Sequence, residues 1–426
     1  METVKQLQSF LDKAHSVYHA VALIRGELEQ AGYKGLSETH RWELEAGGKY
    51  YLIRNGSAIL AFRVPAVAPK GFLISAAHAD RPCFKVKENG VAEGAYTRLL
   101  VERYGGALLA PWLDRPLSVA GRVLVETENG VESRLVDIGR DLLLMPNVAI
   151  HMNRSANDGY KWNPATDTIP LLGDKKSTKK FWEEVESLAG GKVLGHDLYL
   201  YVRQNASVWG LENEFISAQA LDDLECAWGC LQGFLRSQET ANIPVLCVFD
   251  SEEVGSSSYQ GAASDMLQSA IDRICACLDL EKGRQLAGSF LVSADNAHAL
   301  HPNHPEYADP ANAPVMNGGV VVKFNANQRY TTDGLSYAIF RKICQKAGVP
   351  VQTYCNRADL PGGSTLGNIS LSQVAVPSVD IGLAQLAMHS CYETAGVKDA
   401  RYLVEAMTAY YGTELEAASD GSISVK

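Results

Sequence analysis

The sequence predicts an α/β fold: a sheet with helices on both faces, into which a β-rich domain is inserted. Three observations lead there. On both sides of the middle of the chain, apolar strand-like runs alternate with helical periodicities, the signature of strands covered by helices. Between them, over residues 91–212, short strand-like runs dominate. The 426-residue length, at roughly 100–200 residues per domain, allows two domains. The expected division is an α/β domain of residues 1–90 and 213–426 with an insertion at 91–212.

In order along the chain, Val4, Leu7, Leu11, Ala14, Val17 and Val21 recur at helical spacing. GFLISAAHAD (71–80) is a buried strand ending in polar residues. GRVLVETENG and VESRLVDIG (121–139) read as a hairpin turning around Asn129-Gly130. The charged segment 173–192 reads as a flexible crossover or an exposed helix before the strands DLYLYVR and ASVWGLE. LDDLECAWGCLQGFLRS (221–237) is a helix, IPVLCVFDSEEVG (243–255) a buried strand running into carboxylates, and GAASDMLQSAIDRICACL (261–278) a helix. GSFLVSAD (288–295) and GGVVVKFNANQ (318–328) are strands, followed by a helix at 335–348 and strands in VQTYC and QVAVPSVDIG. The polar tail near ASDGSISVK is expected to be loose.

Composition removes several function classes. Thirty-nine Lys+Arg against forty-nine Asp+Glu leave a net charge of −10, which excludes a general nucleic-acid or anionic-membrane binder. No apolar run reaches the roughly 18 residues that span a bilayer, and the first residues lack the apolar core of a secretory signal. Nine scattered cysteines, an odd number, then read as reduced thiols of a cytoplasmic protein. Cys226 and Cys230, four apart on a helix, are read as core filling.

The chemistry concentrates at strand ends, where open α/β sheets bind ligands. His78 and Asp80 close one strand, Glu252 and Glu253 follow another, Asp295 closes a third, and His389 follows DIGLAQLAM. Asp222 with Asp223 opens a helix, where capping alone would favour acids. Carboxylates that directly follow buried runs need a partner, and a dinuclear metal centre would offset their desolvation. His78 and Asp80, two apart on an extended segment, leave the same face, so Asp80 can orient the His78 ring. Adjacent Glu252 and Glu253 diverge, one to ligate and one to act as base. Asp222 suits a bridge, which gives His78, Asp222 and Asp295 on one ion and Asp222, Glu253 and His389 on the other. Three protein ligands per ion leave the open coordination of a catalytic centre. The N/O donor set suits two divalent ions, zinc first, with cobalt or manganese also accommodated. The GGSTLG run at 362–367 misses the nucleophile-elbow pattern and reads as a Gly-rich turn, with or without a role in lining a pocket.

Seven strings carry a family resemblance: HADRPCFKVKENG, ALDDLECAWG, SEEVGSSSYQGA, SADNAHALHPNHPE, NGGVVVKFNANQRYTTDG, GGSTLGNI and MHSCYET. Over nearly its whole length the sequence resembles the aspartyl aminopeptidase family of co-catalytic dizinc exopeptidases. That resemblance implies a mixed sheet of the dizinc exopeptidase type and an inserted β-rich domain serving oligomerisation. It implies a metallo-aminopeptidase that removes N-terminal Asp or Glu through a metal-bridging water activated by Glu252. His78, Asp222, Glu253, Asp295 and His389 match the family's metal ligands, and Asp80 matches the acid orienting the first histidine. Ser251 and Asp223 stand where the family often has His and Asn. For the acidic side chain of the substrate the candidates are Lys323, a charge inside an apolar strand, then Arg329 and Arg81. The resemblance also implies a homo-oligomer, a dodecamer, in which His151 of one subunit reaches a neighbour's site. His298 and His301 remain outside the full ligand count. Two alternatives stay open: an aminopeptidase of broad or neutral specificity, and a catalytically silent metal-binding assembly protein.

Overall fold

The computed structural model describes residues 2–175, 179–360, 362–363, 365–417 and 423–426. The apolar run before residue 31 folds as two helices, Glu2–Leu11 and Val17–Gln30. Ser16 separates them: its backbone is extended and its hydroxyl caps the second helix by accepting the His19 N–H. The six apolar residues expected on one face are nevertheless all buried.

Among the described residues, the principal sheet has nine strands. Its middle is a parallel block of Ile243–Phe249, Phe72–His78, Phe290–Ala294 and Ser378–Gly382, in that spatial order. On one side Ala58–Arg63 runs antiparallel to Ile243–Phe249; on the other Val320–Phe324 runs antiparallel to Ser378–Gly382. The sheet is therefore mixed. Both faces are covered, and the strands alternate accordingly: Leu73, Ala77, Leu246 and Val248 enter one core, while Phe72, Ile74, Val245 and Cys247 enter the other. The first core is closed by the two N-terminal helices with Leu221–Arg236, Gly334–Ala347 and Val397–Tyr411. Met266–Cys277 and Leu366–Gln373 cover the second.

A separate six-stranded sheet contains Cys83–Ala92, Tyr96–Tyr104, Leu117–Thr127, Gly130–Asp137, Leu171–Asp174 and Val193–Val202 around its own apolar core. It begins at Cys83, ahead of the expected boundary at residue 91, because Cys83 already pairs with Tyr104. The expected hairpin is present, with its turn one residue earlier: Thr127 pairs with Gly130, so Glu128 and Asn129 form the loop. The charged segment supplies a helix, Lys180–Ala189, that buries Phe181, Val185 and Ala189 against this sheet and ends at left-handed Gly190; residues 176–178 within it lie outside the described residues. Most of the expected loose tail, 418–422, also lies outside them.

Candidate metal centre

The parallel strands converge on one place with their carboxyl ends. Phe72–His78 delivers His78, Ile243–Phe249 leads to the turn Glu252–Val254, and Phe290–Ala294 delivers Asp295. Ser378–Gly382 leads through Ala384–Leu386 to His389. Asp222 comes in at the start of Leu221–Arg236, where its backbone departs from helical geometry and its bond to Asp223 is cis. Ala220, Ser251 and His389 have φ of 56°, 64° and 69°, a left-handed conformation that non-glycine residues adopt at a cost of order 1–3 kcal/mol. Each lies within two residues of a candidate ligand, so sharp backbone turns aim these side chains inward.

Among the described residues, three sets of donor atoms lie within 4.8 Å of one another: His78 with Asp222 and Asp295; Asp222 with Glu253 and His389; and His78 with Glu252 and Glu253. The first two share Asp222, whose oxygens face both histidines: Oδ1 is 3.7 Å from His78 Nε2 and Oδ2 is 3.5 Å from His389 Nε2. His389 Nε2 is also 3.5 Å from Glu253 Oε2. These separations are too long for hydrogen bonds and suit side chains that converge on ions between them.

Electrostatics give the same reading. Burial pushes the Asp222 carboxyl up to about 6, with neighbouring Asp295 acting in the same sense. Burial also pushes Glu252 up to about 8 and Glu253 well above the usual carboxylate range. Asp222 Oδ1 and Glu253 Oε1 are buried without a hydrogen-bond partner among the described residues. Crowded, orphaned carboxylates of this kind call for positive charge, and divalent ions fit both the donor set and the deficit.

Residues 10–411 match the model of peptidase family M18, aminopeptidase I zinc metalloprotease. The chain belongs to the M18 family. It is 42% identical to a probable M18 family aminopeptidase 2 of Clostridium novyi (strain NT), over 95% of this chain and 98% of that one. Among solved structures, a chain in the cryo-EM structure of the Ape4 and Nbr1 complex superposes with a TM-score of 0.93 at 34% identity, covering 96% of this chain and 85% of that chain. The S. cerevisiae mApe1 dodecamer gives a TM-score of 0.84 at 26% identity over 96% and 95% of the two chains. M18 membership makes the protein a zinc metallo-aminopeptidase.

The remaining M18 side chains named from sequence divide into those at the cavity and those away from it. Asp80 is buried beside His78, whose Nδ1 lies 3.1 Å from the Asp80 carbonyl oxygen and 3.4 Å from Oδ1. Its carboxylate also accepts the Glu252 and Glu253 backbone N–H groups at 3.1 Å each and the Tyr104 hydroxyl at 2.8 Å. Burial works to raise the Asp80 pKa, but the His78 ring and these donors hold it below its ordinary value. Asp80 thus sets the Glu pair as well as the His78 ring. Lys323, 2% exposed, lines the same cavity of about 410 Å³ as the acids. It donates to the Asp295 and Asn296 carbonyls at 2.6 and 3.3 Å and lies 5.2 Å from the Tyr330 ring centre.

Arg329 is exposed and outside that cavity; its neighbour Tyr330 lines the wall instead, since Gln328 at φ 57° turns the loop between strand and cavity. Arg81 is spent on the link between the two N-terminal helices, donating to the carbonyls of Ala14 and His15. His151 sits on an exposed turn of this chain, away from the cavity lining. Of the Gly-rich run, Gly363 and Thr365 line the cavity, while Ser364 lies outside the described residues. All nine cysteines are free, and Cys226 and Cys230 are buried in the core.

Sequence reasoning passed over three supports. Glu393 is buried and accepts the backbone N–H of Asp222 at 3.0 Å on one oxygen and that of His389 at 2.7 Å on the other. Asn296 donates to the Leu221 carbonyl and to Gln385 Oε1, both at 3.0 Å, bracing the Asp295 strand against the start of the Asp222 helix. Gly105 and Gly106, just after Tyr96–Tyr104, let the second sheet approach the centre: a Cβ at Gly105 would stand 3.1 Å from Glu253 Cβ, and one at Gly106 3.2 Å from His389 Nδ1. The only sequence signal for Glu393 was its place four residues after His389 in MHSCYET.

Proposed function

We propose that the protein removes N-terminal aspartate or glutamate from peptides, using two divalent ions, with zinc as the first choice. His78, Asp222 and Asp295 would hold one ion; Asp222, Glu253 and His389 would hold the other. Bound there, such ions supply Lewis acidity toward water and the scissile carbonyl. Glu252, on the cavity wall, takes a proton from the attacking water and passes it to the departing amine. Asp80 keeps Glu252 in position through its backbone N–H.

The observation that carries the acidic preference is Lys323. A buried ammonium has three N–H groups, and backbone carbonyls take two of them. Asp295 Oδ1 is 3.6 Å away, and ligation of an ion by Asp295 would leave Lys323 free to meet a carboxylate from the substrate. The test is hydrolysis of Asp-, Glu- and Leu-anilides by the zinc-loaded parent and Lys323→Leu. The parent should prefer the two acidic substrates, and the variant should lose on the order of a hundredfold in kcat/KM on them alone. Equal rates on Leu-anilide in the parent would favour the broad-specificity reading, and inactivity on every substrate the silent assembly protein.

The proposal extends to the assembly. The S. cerevisiae mApe1 structure is a dodecamer, and a comparable homo-oligomer is proposed for this chain, with the insertion near 91–212 making contacts between subunits. His151 would then complete a neighbour's site. Its turn is flanked by Val148, Ile150 and Met152, 51%, 46% and 76% exposed, an apolar edge suited to burial against another subunit. Nine free thiols suit a cytoplasmic setting.

A further inference from the structure

The string SADNAHALHPNHPE contains three histidines that the metal centre does not use. The fold gathers them. His298, His301 and His304 line one recess of about 320 Å³, together with Tyr354, Asn356 and Arg357. His298, Tyr354 and Gly363 belong both to this recess and to the cavity of the metal centre, so the two are contiguous.

The linings differ in sign. Four carboxylates, those of Asp222, Glu252, Glu253 and Asp295, line the metal cavity, whereas among the described residues no Asp or Glu lines the recess. In a chain of net charge −10, a pocket edged by three imidazoles and a guanidinium is selective in what it attracts. Its donors are also prepared. The Asn303 N–H donates to His301 Nδ1 at 3.2 Å, which leaves Nε2 as the nitrogen that donates outward. Arg357 is held by the Glu306 carbonyl and by Asp359, 2.8 Å from Nε, while Asp359 itself stays out of the lining. Among the described residues three of its five N–H groups are engaged, through Nη1, Nε and Nη2, which leaves two for a ligand. His304 is held through Nδ1 by Glu306 at 2.9 Å. A third metal site is not the explanation: among the described residues, close sets of three donors occur only at the centre already described.

We propose that this recess binds a carboxylate carried by the peptide beyond its first residue. The inference rests on the aminopeptidase reading above, in which Lys323 takes the first side chain. An extended peptide advances roughly 3.3 Å per residue, so groups one or two residues past the scissile bond fall beyond the metal cavity, and the recess is the adjoining space with complementary charge. The carboxylate can come from an acidic side chain or from the C-terminus of a short peptide. Both present the same planar pair of oxygens to Arg357.

Four substrates test it on the zinc-loaded full chain: Asp-anilide, Asp-Ala-Ala-Ala-amide, Asp-Ala-Glu-Ala-amide and Asp-Ala-Ala with a free C-terminus. In the parent, at least one carboxylate-bearing peptide should show a KM roughly three- to tenfold below the neutral amide, a gain that shrinks at high salt because Arg357 is partly exposed. Which of the two gains identifies the source of the carboxylate. Arg357→Gln should erase the gain and leave Asp-anilide kinetics unchanged; His301→Ala should reduce it in the same selective way. Equal KM values for neutral and carboxylate-bearing peptides in the parent would overturn the recess assignment, as would Arg357→Gln and His301→Ala slowing all four substrates alike. Failure of the parent to cleave Asp-anilide would instead strike the aminopeptidase reading beneath it.

Discussion

Glu252 and Glu253 are neighbours with different surroundings, and this separates the roles proposed for them. Glu253 has an oxygen 3.5 Å from His389 Nε2, within the set that includes Asp222, while Glu252 stands beside His78 on the cavity wall. Replacing Glu252 by Gln should leave zinc content unchanged and lower kcat by on the order of 10²–10⁴-fold, the usual range for a lost general base. Metal analysis beside a progress curve reads both numbers, and near-normal turnover would refute the assignment. Glu393 makes the complementary case. It touches no reacting atom but ties the backbones of Asp222 and His389 together. Glu393→Ala should lower zinc affinity by roughly 10–100-fold, measured by competition with a chelator. Glu393→Gln keeps one acceptor and should fall between it and the parent. Full zinc affinity in the alanine variant would deny Glu393 its positioning role.

At the scale of elements, periodicity identified strands and helices, whereas their ends depended on local polar chemistry. The break at Ser16 divides a continuous helical pattern into two helices, and His19 sits in the first turn of the second, 2.8 Å from the Ser16 hydroxyl. Burial pushes the His19 imidazole down to about 4, with His15 and Arg81 acting in the same sense and Asp137 opposing. An unfolded His19 takes up its proton near the ordinary value of about 6.5, while the folded one does so only near 4. The unfolded state therefore binds more protons between those values. The contribution of His19 to stability is intact above about pH 6.5 and is lost as the pH falls toward 4. Thermal melts of parent and His19→Gln at pH 7.5 and 5 should show a smaller acid-induced drop in Tm for the variant. Identical drops would mean that His19 is not shielded as described.

At the scale of the whole molecule, the two sheets meet at the candidate metal centre. Tyr104 bonds Asp80, and the glycines after it lie against Glu253 and His389. The β-rich body therefore lies against the candidate centre even within one chain. The proposed assembly carries this further, because His151 is exposed and does not line its own cavity. Glu252→Gln and His151→Ala chains, each inactive alone, should recover activity when co-refolded, since a mixed oligomer contains sites with an intact Glu252 and a neighbour's intact His151. Absence of recovery in mixed oligomers, verified by mass measurement, would rule out a role across the interface.

Much of this was legible in sequence because it is local. Alternating apolar residues revealed the strands, and acids directly after VLCVF or FLVS were conspicuous because burial without a partner is costly. Those signals were enough to name His78, Asp222, Glu253, Asp295 and His389, which the structure brings within reach of one another. What lay beyond sequence was direction. Arg329 and Tyr330 are adjacent, yet a left-handed turn at Gln328 puts only the tyrosine in the cavity. Glu393 resembles any polar residue near a loop until a helix start and a turn present the N–H groups of Asp222 and His389 to it. The histidines of AHALHPNH have no evident purpose until the chain folds them around one recess. Hydrophobic pattern and charge desolvation act along the chain and can be read from it, whereas the meeting of distant side chains depends on how elements pack, and that is decided only in three dimensions.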